Sequence, residues 1–284
     1  MRFMMMIQSN ARFEAGEMPD QNLRSEMSAY NRKLLDAGVR LVAEGLQPSA
    51  KGARVRYSKG QGTAQVTVVD GPFTEAKEML GGFWLIQVNS RQEAIEWARR
   101  VPGREGQIEL RALYELSDFP ADATEAPGGW RDQERDMRDN AAATVQAAPQ
   151  VARQPGTTRY MVMLQSDRQS ESGALPSPET LAAMGALMDE LAQSGALLGG
   201  EGLKPSKTGA RVKLAGDKRT VIDGPFTETK ELIAGYLLIQ TKALAEAVAF
   251  ARRWLEIHCE APGGGDGEIH IRPLFELEDV PTRR

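Results

Sequence analysis

The stretch DGPFTEAKE at residues 70–78 returns as DGPFTETKE at residues 223–231, with Ala76 and Thr229 at the single position that differs. The flanks repeat too, in the pairs 2–9 with 159–166, 43–49 with 200–206 and 108–116 with 269–277. A repeat at about 150 residues is too long for one unit of a solenoid. Each copy is therefore predicted to be a domain with its own core.

The length and composition of the chain fit two domains. Its 284 residues are 41% hydrophobic, which is enough for two cores of ordinary size. We predict a first domain at residues 1–120, a linker at 121–157 and a second domain at 158–284. The linker is rich in Ala, Asp, Arg, Gln and Pro, and it forms either a helix around Trp130 that rests on a domain or a charged, disordered tether.

Charge and terminal sequence restrict the partners and the compartment. The net charge of −4 and the pI near 5.5 argue against nucleic-acid binding, which needs a surplus of Lys and Arg. The apolar residues 1–7 are too few for a membrane span and lack the features of a signal peptide. A lone cysteine, Cys259, forms no intrachain disulfide and fits a reducing compartment. We therefore predict a cytoplasmic protein that binds neither nucleic acid nor membrane.

Hydrophobic periodicity predicts the same order of elements in both copies. In the first copy, a helix begins at its cap Asp20 and ends before Gly38. The other predicted elements are strands at 3–8, 39–43, 82–88 and 108–116, a hairpin at 53–69 and a second helix at 92–100. This order is the α+β, ferredoxin-like pattern with an inserted hairpin, built on an antiparallel sheet. The extra residues of the second copy, around 256–265, are predicted to form a surface loop that carries Cys259 as a surface thiol.

A sheet of this kind has two helices on one face and an open second face. We predict that the two copies pack through their open faces as an internal pseudo-dimer. The alternative is two independent domains joined by the linker.

The motifs of both copies resemble those of the YCII-related, or DGPF-domain, family. The resemblance rests on Glu-Gly-Leu-x-Pro, then Asp-Gly-Pro-Phe-x-Glu-x-Lys-Glu, then a Gly-Phe or Gly-Tyr strand and a closing strand with Arg, and it covers nearly all of both copies. It implies tandem ferredoxin-like domains of the dimeric α/β barrel type. It also implies a His-Asp acid/base pair on the two helices, which this sequence lacks, and a regulatory context with sigma factors of the extracytoplasmic-function type.

The repeated motif has a structural and a functional interpretation. Gly71 and Gly224 are predicted to adopt a positive φ in a rigid turn, which is the structural role. In the functional interpretation, Asp70 and Asp223 transfer protons as catalytic carboxylates. The ligand-binding candidates that accompany them are Phe73, Lys77, Glu78, Glu44 and Arg54 in copy one and Phe226, Lys230, Glu231, Glu201 and Arg211 in copy two.

Other polar residues add little to a catalytic interpretation. Arg111 and Arg272 either clamp an anionic ligand or form salt bridges with carboxylates such as Glu109. His258 and His270 do not have the spacing of metal ligands, and His270 stands where copy one has Glu109. No phosphate-binding glycine loop follows a strand. We therefore predict neither a metal nor a cofactor.

Three functions remain open at this point. The first is a small-ligand-binding or regulatory protein; the second is an acid/base enzyme of the lyase or hydrolase type that acts on a small polar molecule; the third is a protein-interaction module. An enclosed pocket with a carboxylate of raised pKa favours the enzyme, and a pocket without one favours the binding protein. A filled pocket together with an exposed apolar patch favours the interaction module.

Overall fold

The computed structural model describes residues 1–60, 63–73, 79–119, 153–226, 232–276 and 279. Copy one contains β1 (Arg2–Gln8), α1 (Ala11–Glu14), α2 (Gln21–Asp36), β2 (Arg40–Gly45), β3 (Ala53–Ser58), β4 (Gln65–Asp70), β5 (Leu80–Gln87), α3 (Arg91–Arg99) and β6 (Glu105–Ala112). Copy two contains β7 (Thr158–Gln165), α4 (Arg168–Ser172), α5 (Pro178–Gln193), β8 (Leu197–Gly202), β9 (Ala210–Ala215), β10 (Lys218–Asp223), β11 (Ile233–Thr241), α6 (Leu244–Glu260) and β12 (Gly267–Pro273). Residues 121–152, which hold most of the predicted linker, lie outside the described residues.

The ends of the long helices follow from local chemistry. Asp20 Oδ1 accepts a hydrogen bond from the backbone N–H of Leu23 at 2.8 Å, as an N-cap residue does. Gly38, just beyond α2, has a φ of +69°, the left-handed conformation that glycine adopts most readily at a helix end. Both ends were visible in the sequence, and the structure confirms them.

The strands form two six-stranded antiparallel sheets, and each sheet takes strands from both copies. The first sheet has the order β10-β9-β6-β1-β5-β2, and the second has the order β4-β3-β12-β7-β11-β8. The two copies thus exchange their hairpins: β9 pairs with β6, and β3 pairs with β12. Because backbone hydrogen bonds join the copies in both sheets, the internal pseudo-dimer is confirmed and independent domains are excluded.

The two sheets pack face to face around a shared apolar core. Met4, Met6 and Phe83 of the first sheet meet Met161, Met163 and Tyr236 of the second, and the rings of Phe83 and Tyr236 lie 5.8 Å apart. The alternate residues Phe3 and Met5 face the helices instead. β1 is buried on both faces, and for this reason its sequence is apolar without alternation.

Helices cover the outer face of each sheet. α2 and α3 pack on the first sheet, where the exchanged strand β9 contributes Ala210, Val212 and Leu214 to their core. α5 and α6 pack on the second sheet over Val55 and Tyr57 of β3. Each helix-covered core therefore contains residues of both copies, so the prediction that each copy has a core of its own was wrong.

The structure corrects one prediction about length variation. The extra residues of copy two, 256–265, were expected in a surface loop, but 256–260 extend α6, which has 17 residues against 9 in α3. Cys259 consequently lies on a helix and is 4% exposed, so it is not a surface thiol. Burial raises the pKa of this thiol to about 12.

Candidate functional site

The DGPF turn presses its glycine against a neighbouring backbone. A Cβ atom on Gly71 would lie 1.9 Å from the carbonyl oxygen of Ser49, and one on Gly224 would lie 1.9 Å from that of Ser206. Neither glycine has a positive φ, so the predicted reason for glycine was wrong and close approach is the actual one. The backbone N–H of Phe73 donates to Ser49 Oγ at 3.2 Å, and Phe226 and Ser206 repeat this contact at the same distance.

The turn brings two predicted candidates together in each copy. The guanidinium of Arg54 lies 4.1 Å from the ring centre of Phe73, and that of Arg211 lies 4.2 Å from the ring centre of Phe226. Both phenylalanines are buried, and the arginines are 7% exposed. These are cation–π contacts, which stabilise a buried guanidinium.

Hairpin exchange places each of these arginines beside the last strand of the other copy. Arg211 binds Glu109 at 2.8 Å, and Glu109 also binds Arg111 at 3.3 Å. Arg111 is fully buried and reaches Glu171 at 3.1 Å, which confirms the salt-bridge interpretation for this residue. Arg272, its equivalent, reaches Glu14 at 3.3 Å.

The equivalent cluster in the second sheet contains a histidine. His270 occupies the position of Glu109 and hydrogen-bonds to Glu268, which also pairs with Arg56 and lies 3.6 Å from Arg54. Burial lowers the pKa of His270. Burial alone would raise the pKa of Glu268, but the hydrogen bonds and charges of His270 and Arg56 lower it to about 2.

Glu44 and Glu201 join the two copies at the ends of the barrel. Arg159 donates to Glu44 at 2.6 Å and to Glu276 at 2.9 Å, and Arg2 pairs with Glu201 and Glu115 in the same way. Burial raises the pKa of Glu44, while its bond to Arg159 opposes the rise.

Asp70 and Asp223 lie apart from these clusters. Each ends an outer strand of a sheet and is exposed, and Asp223 is ion-paired with Arg91. The catalytic role of both stays a prediction. Lys77, Glu78, Lys230 and Glu231 lie outside the described residues.

A cavity of about 1120 Å³ lies under the helices of copy two. Its apolar wall includes Leu164, Leu181, Met184, Met188, Leu197 and Leu237 from β7, α5, β8 and β11, and it extends to α6 and to Tyr114 and Phe119 of copy one. Arg54, Glu201 and His270 also line it, whereas Asp70 and Asp223 do not. A mostly apolar cavity with few polar groups is typical of a small-molecule site.

Two buried polar atoms of α6, a helix that borders the cavity, lack partners among the described residues. Trp254 is 3% exposed and its Nε1 has no hydrogen-bond acceptor, while Nε2 of His258 is buried without a partner. The two residues are one turn apart on α6, with ring centres 6.1 Å apart. Burial lowers the pKa of His258 to about 4, so the ring is neutral near pH 7.

Larger side chains occupy the equivalent region of copy one. Tyr30, Trp84 and Trp97 pack edge to face there, with Tyr30 5.7 Å from Trp84 and 6.5 Å from Trp97. Copy two has Leu187, Leu237 and Phe250 at these positions. Nε1 of Trp84 donates to Asn31 Oδ1 at 2.7 Å, and its hydrogen-bonding requirement is thereby satisfied.

Sequence reasoning missed Trp254 and treated His258 as an incidental residue. A signal existed in the comparison of the copies, since Leu187, Leu237 and Phe250 in copy two are smaller than Tyr30, Trp84 and Trp97 in copy one. Among the described residues, no three His, Cys, Asp or Glu side chains are grouped as metal ligands. No helix within the described ranges is long and apolar enough to cross a membrane.

Comparison with known proteins finds the same repeat. A family model described as "YCII-related domain" matches residues 1–117 and again residues 158–274. The chain is also 36% identical over 107 residues to "Uncharacterized protein R00369" of Rhizobium meliloti (strain 1021). That match covers 36% of this chain and 83% of the relative, which is about the length of one copy.

Proposed function

The chain belongs to the YCII-related domain family, with two copies of the domain, and on this premise we propose that it binds one small molecule in the cavity of copy two. The observation that carries the proposal is the cavity of about 1120 Å³ with a mostly apolar wall. When an apolar ligand binds there, the apolar surface of the wall and the surface of the ligand both lose contact with water, which favours binding. This site differs from the predicted one, which was a cleft for a small polar ligand at the DGPF motif, because the cavity lies under the helices of copy two and its wall is mostly apolar.

Binding is better supported than acid/base catalysis. Glu268 lines the cavity, but its pKa is lowered to about 2, so it is a poor proton donor near pH 7. Glu44 has a raised pKa, but it is held by Arg159 and does not line the cavity.

An interaction module has narrower support. The exposed apolar residues Val68 and Val69 lie on β4, and Ile222 lies on β10, at the outer edges of the two sheets. Two residues at one sheet edge and one residue at the edge of the other sheet do not make the extended apolar patch that an interaction surface needs. Regulation through a sigma factor stays a prediction from the family resemblance.

The proposal is tested with diphenylhexatriene, a hydrocarbon that fluoresces when it leaves water. We expect the wild-type chain to bind one probe molecule. Met184→Trp is expected to weaken binding at least about tenfold, because the indole fills the cavity. Met27→Trp is the matched control at the same position of α2, and it should leave binding unchanged. A wild-type chain that gives no saturable fluorescence, or a Met184→Trp variant that binds as well as wild type, would contradict the proposal.

A further inference from the structure

The short helices α1 and α4 follow the first strand of each copy, and they are anchored in the same way. Glu14, at the end of α1, accepts a hydrogen bond from the backbone N–H of Ser49 at 2.7 Å. Glu171 on α4 accepts one from the backbone N–H of Ser206 at 3.0 Å. Ser49 and Ser206 are themselves equivalent residues of the repeat, so the two helices hold equivalent positions on the barrel.

α1 carries an aromatic ring where α4 carries a small polar side chain. Phe13, one residue before Glu14, packs edge to face on Phe275 of copy two, with ring centres 5.9 Å apart. Ser170 stands at the position of Phe13. Its Oγ lies 2.8 Å from Oδ1 of Asp167, which caps the same helix, so the serine side chain is bonded within α4 and supplies no ring.

The ring on which Phe13 packs in one half of the barrel has an equivalent in the other half. This equivalent is Tyr114, and both rings lie against a glycine of a neighbouring strand. A Cβ atom on Gly202 would lie 3.1 Å from Cδ2 of Tyr114, and one on Gly45 would lie 3.2 Å from Cδ2 of Phe275. Tyr114 is half-buried and lines the cavity, as does the serine of α4. The cavity therefore borders the position that an aromatic side chain of copy one fills in the other half.

We propose that the ligand carries a planar aromatic ring, which packs against Tyr114 at the place that Phe13 takes in the other half of the barrel. This inference rests on the proposed binding function and names the chemical class of its ligand. A pair of aromatic rings in edge-to-face contact is more stable than the buried apolar area alone accounts for.

Other parts of the cavity wall also suit an aromatic ligand. Phe119 lines the cavity beside Tyr114, with ring centres 5.6 Å apart, and presents a second aromatic side chain from copy one. Met184 and Met188 line it from α5. Thioether sulfurs are polarisable and make favourable contacts with aromatic rings, so these methionines stabilise a planar ring more than an aliphatic group of the same size.

The test compares naphthalene with decalin, which has the same carbon skeleton but is saturated and not planar. Displacement of diphenylhexatriene measures both affinities, after the probe itself has been titrated into each variant. The aromatic preference is the dissociation constant of decalin divided by that of naphthalene. Because decalin leaves water more readily, the preference is compared between variants, so that this difference between the compounds cancels.

Two variants remove the proposed ring contact in different ways. Tyr114→Leu deletes the ring of the protein, and Ser170→Phe supplies the ring of copy one, which then takes the place of the ligand ring. Each is expected to lower the aromatic preference about 3- to 10-fold, because one aromatic pair is lost. Ser170→Phe changes a residue bonded only within its own short helix, so it tests the inference even if Tyr114→Leu does not fold.

Phe275→Leu is the matched control. Phe275 is the equivalent of Tyr114 but lies outside the cavity wall, so this variant should keep the aromatic preference of the wild-type chain.

The outcomes separate the two proposals. If diphenylhexatriene does not bind the wild-type chain, the proposed function fails, and the inference fails with it. If the probe binds and Met184→Trp blocks it, but Tyr114→Leu and Ser170→Phe leave the aromatic preference within twofold of wild type, the cavity holds a ligand and the inference is wrong. An equal fall of the preference in Phe275→Leu would also overturn it, because the effect would then not come from the cavity.

Discussion

The helix-covered surfaces of the two copies differ although their backbones follow the same plan. In copy one, Tyr30, Trp84 and Trp97 fill the space between helices and sheet. In copy two, smaller residues leave a cavity, and a longer last helix brings Trp254 and His258 to its wall. The two copies thus share a backbone plan but differ in the side chains under their helices, and the proposed ligand site belongs to copy two alone.

The DGPF turn has the same contacts in both copies, so we expect the same substitution to have the same effect in each. Gly71→Ala and Gly224→Ala each place a Cβ atom 1.9 Å from a carbonyl oxygen, so each is expected to lower the free energy of unfolding by about 3 kcal/mol or more. Urea denaturation measures the change. Gly185→Ala in α5 is the control: nothing lies within 4 Å of its Cβ, and it should stabilise by about 0.5–1 kcal/mol. Unequal losses at the two turns would show that the motif serves the copies differently.

Exchange of the Trp84–Asn31 pair tests the asymmetry directly. Leu237→Trp combined with Met188→Asn gives copy two the pair of copy one, and we expect it to abolish diphenylhexatriene binding. The reverse change, Trp84→Leu with Asn31→Met, should lower the free energy of unfolding by about 2–3 kcal/mol because it opens a cavity. It should also create a second probe site. Fluorescence titration measures the number of probe molecules bound per chain, and urea denaturation measures stability. If both variants still bind one probe molecule per chain, these residues do not cause the difference between the copies.

Histidine-linked pH dependence should belong to copy two, which holds both histidines of the chain. Burial lowers the pKa of His258 from 6.5 to about 4 in the folded protein, so the unfolded chain binds the proton more readily. Stability is therefore expected to fall as the pH drops from about 6.5 towards 4, by on the order of 2 kcal/mol.

Denaturation at a series of pH values measures this slope, and His258→Gln should remove much of it. His270→Gln should remove a further part, because burial lowers the pKa of His270 too. The lowered pKa of Glu268 acts in a separate range, from 4.5 down to about 2. An unchanged slope in the variant that lacks both histidines would assign the pH dependence to carboxylates.

The smallest expected effect concerns the two motif aspartates. Asp223 pairs with Arg91, and the equivalent of Arg91 in copy two is Leu244. Because this ion pair is largely exposed, Asp223→Asn should cost no more than about 0.5 kcal/mol, and Asp70→Asn less. Thermal unfolding and diphenylhexatriene titration check both. If either variant no longer binds the probe, the DGPF motif takes part in ligand binding after all.

Local sequence signals predicted the secondary structure and the pairing of the copies. Asp20 and Gly38 act through neighbours in the chain, and strand periodicity reports which faces are buried. Arg54 and Phe73, like Arg211 and Phe226, were named among the ligand-binding candidates, and the structure brings each pair into contact. Their placement beside β12 and β6 of the other copy was not predicted, because a hairpin of the same sequence pairs equally well within its own copy or across to the other.

The sequence by itself determined the duplication, the α+β order of each copy, the ends of α2 and the need for two open sheet faces to meet. All of these depend on chemistry within a few residues or on apolar patterns along one element. Only the tertiary structure decided the exchange of hairpins, the close approach that requires Gly71 and Gly224, and the cavity under α5 and α6. The first two depend on which atoms of distant segments come into contact. The cavity depends on how completely side chains from separate elements fill the space between them. Neither can be read from a local sequence pattern.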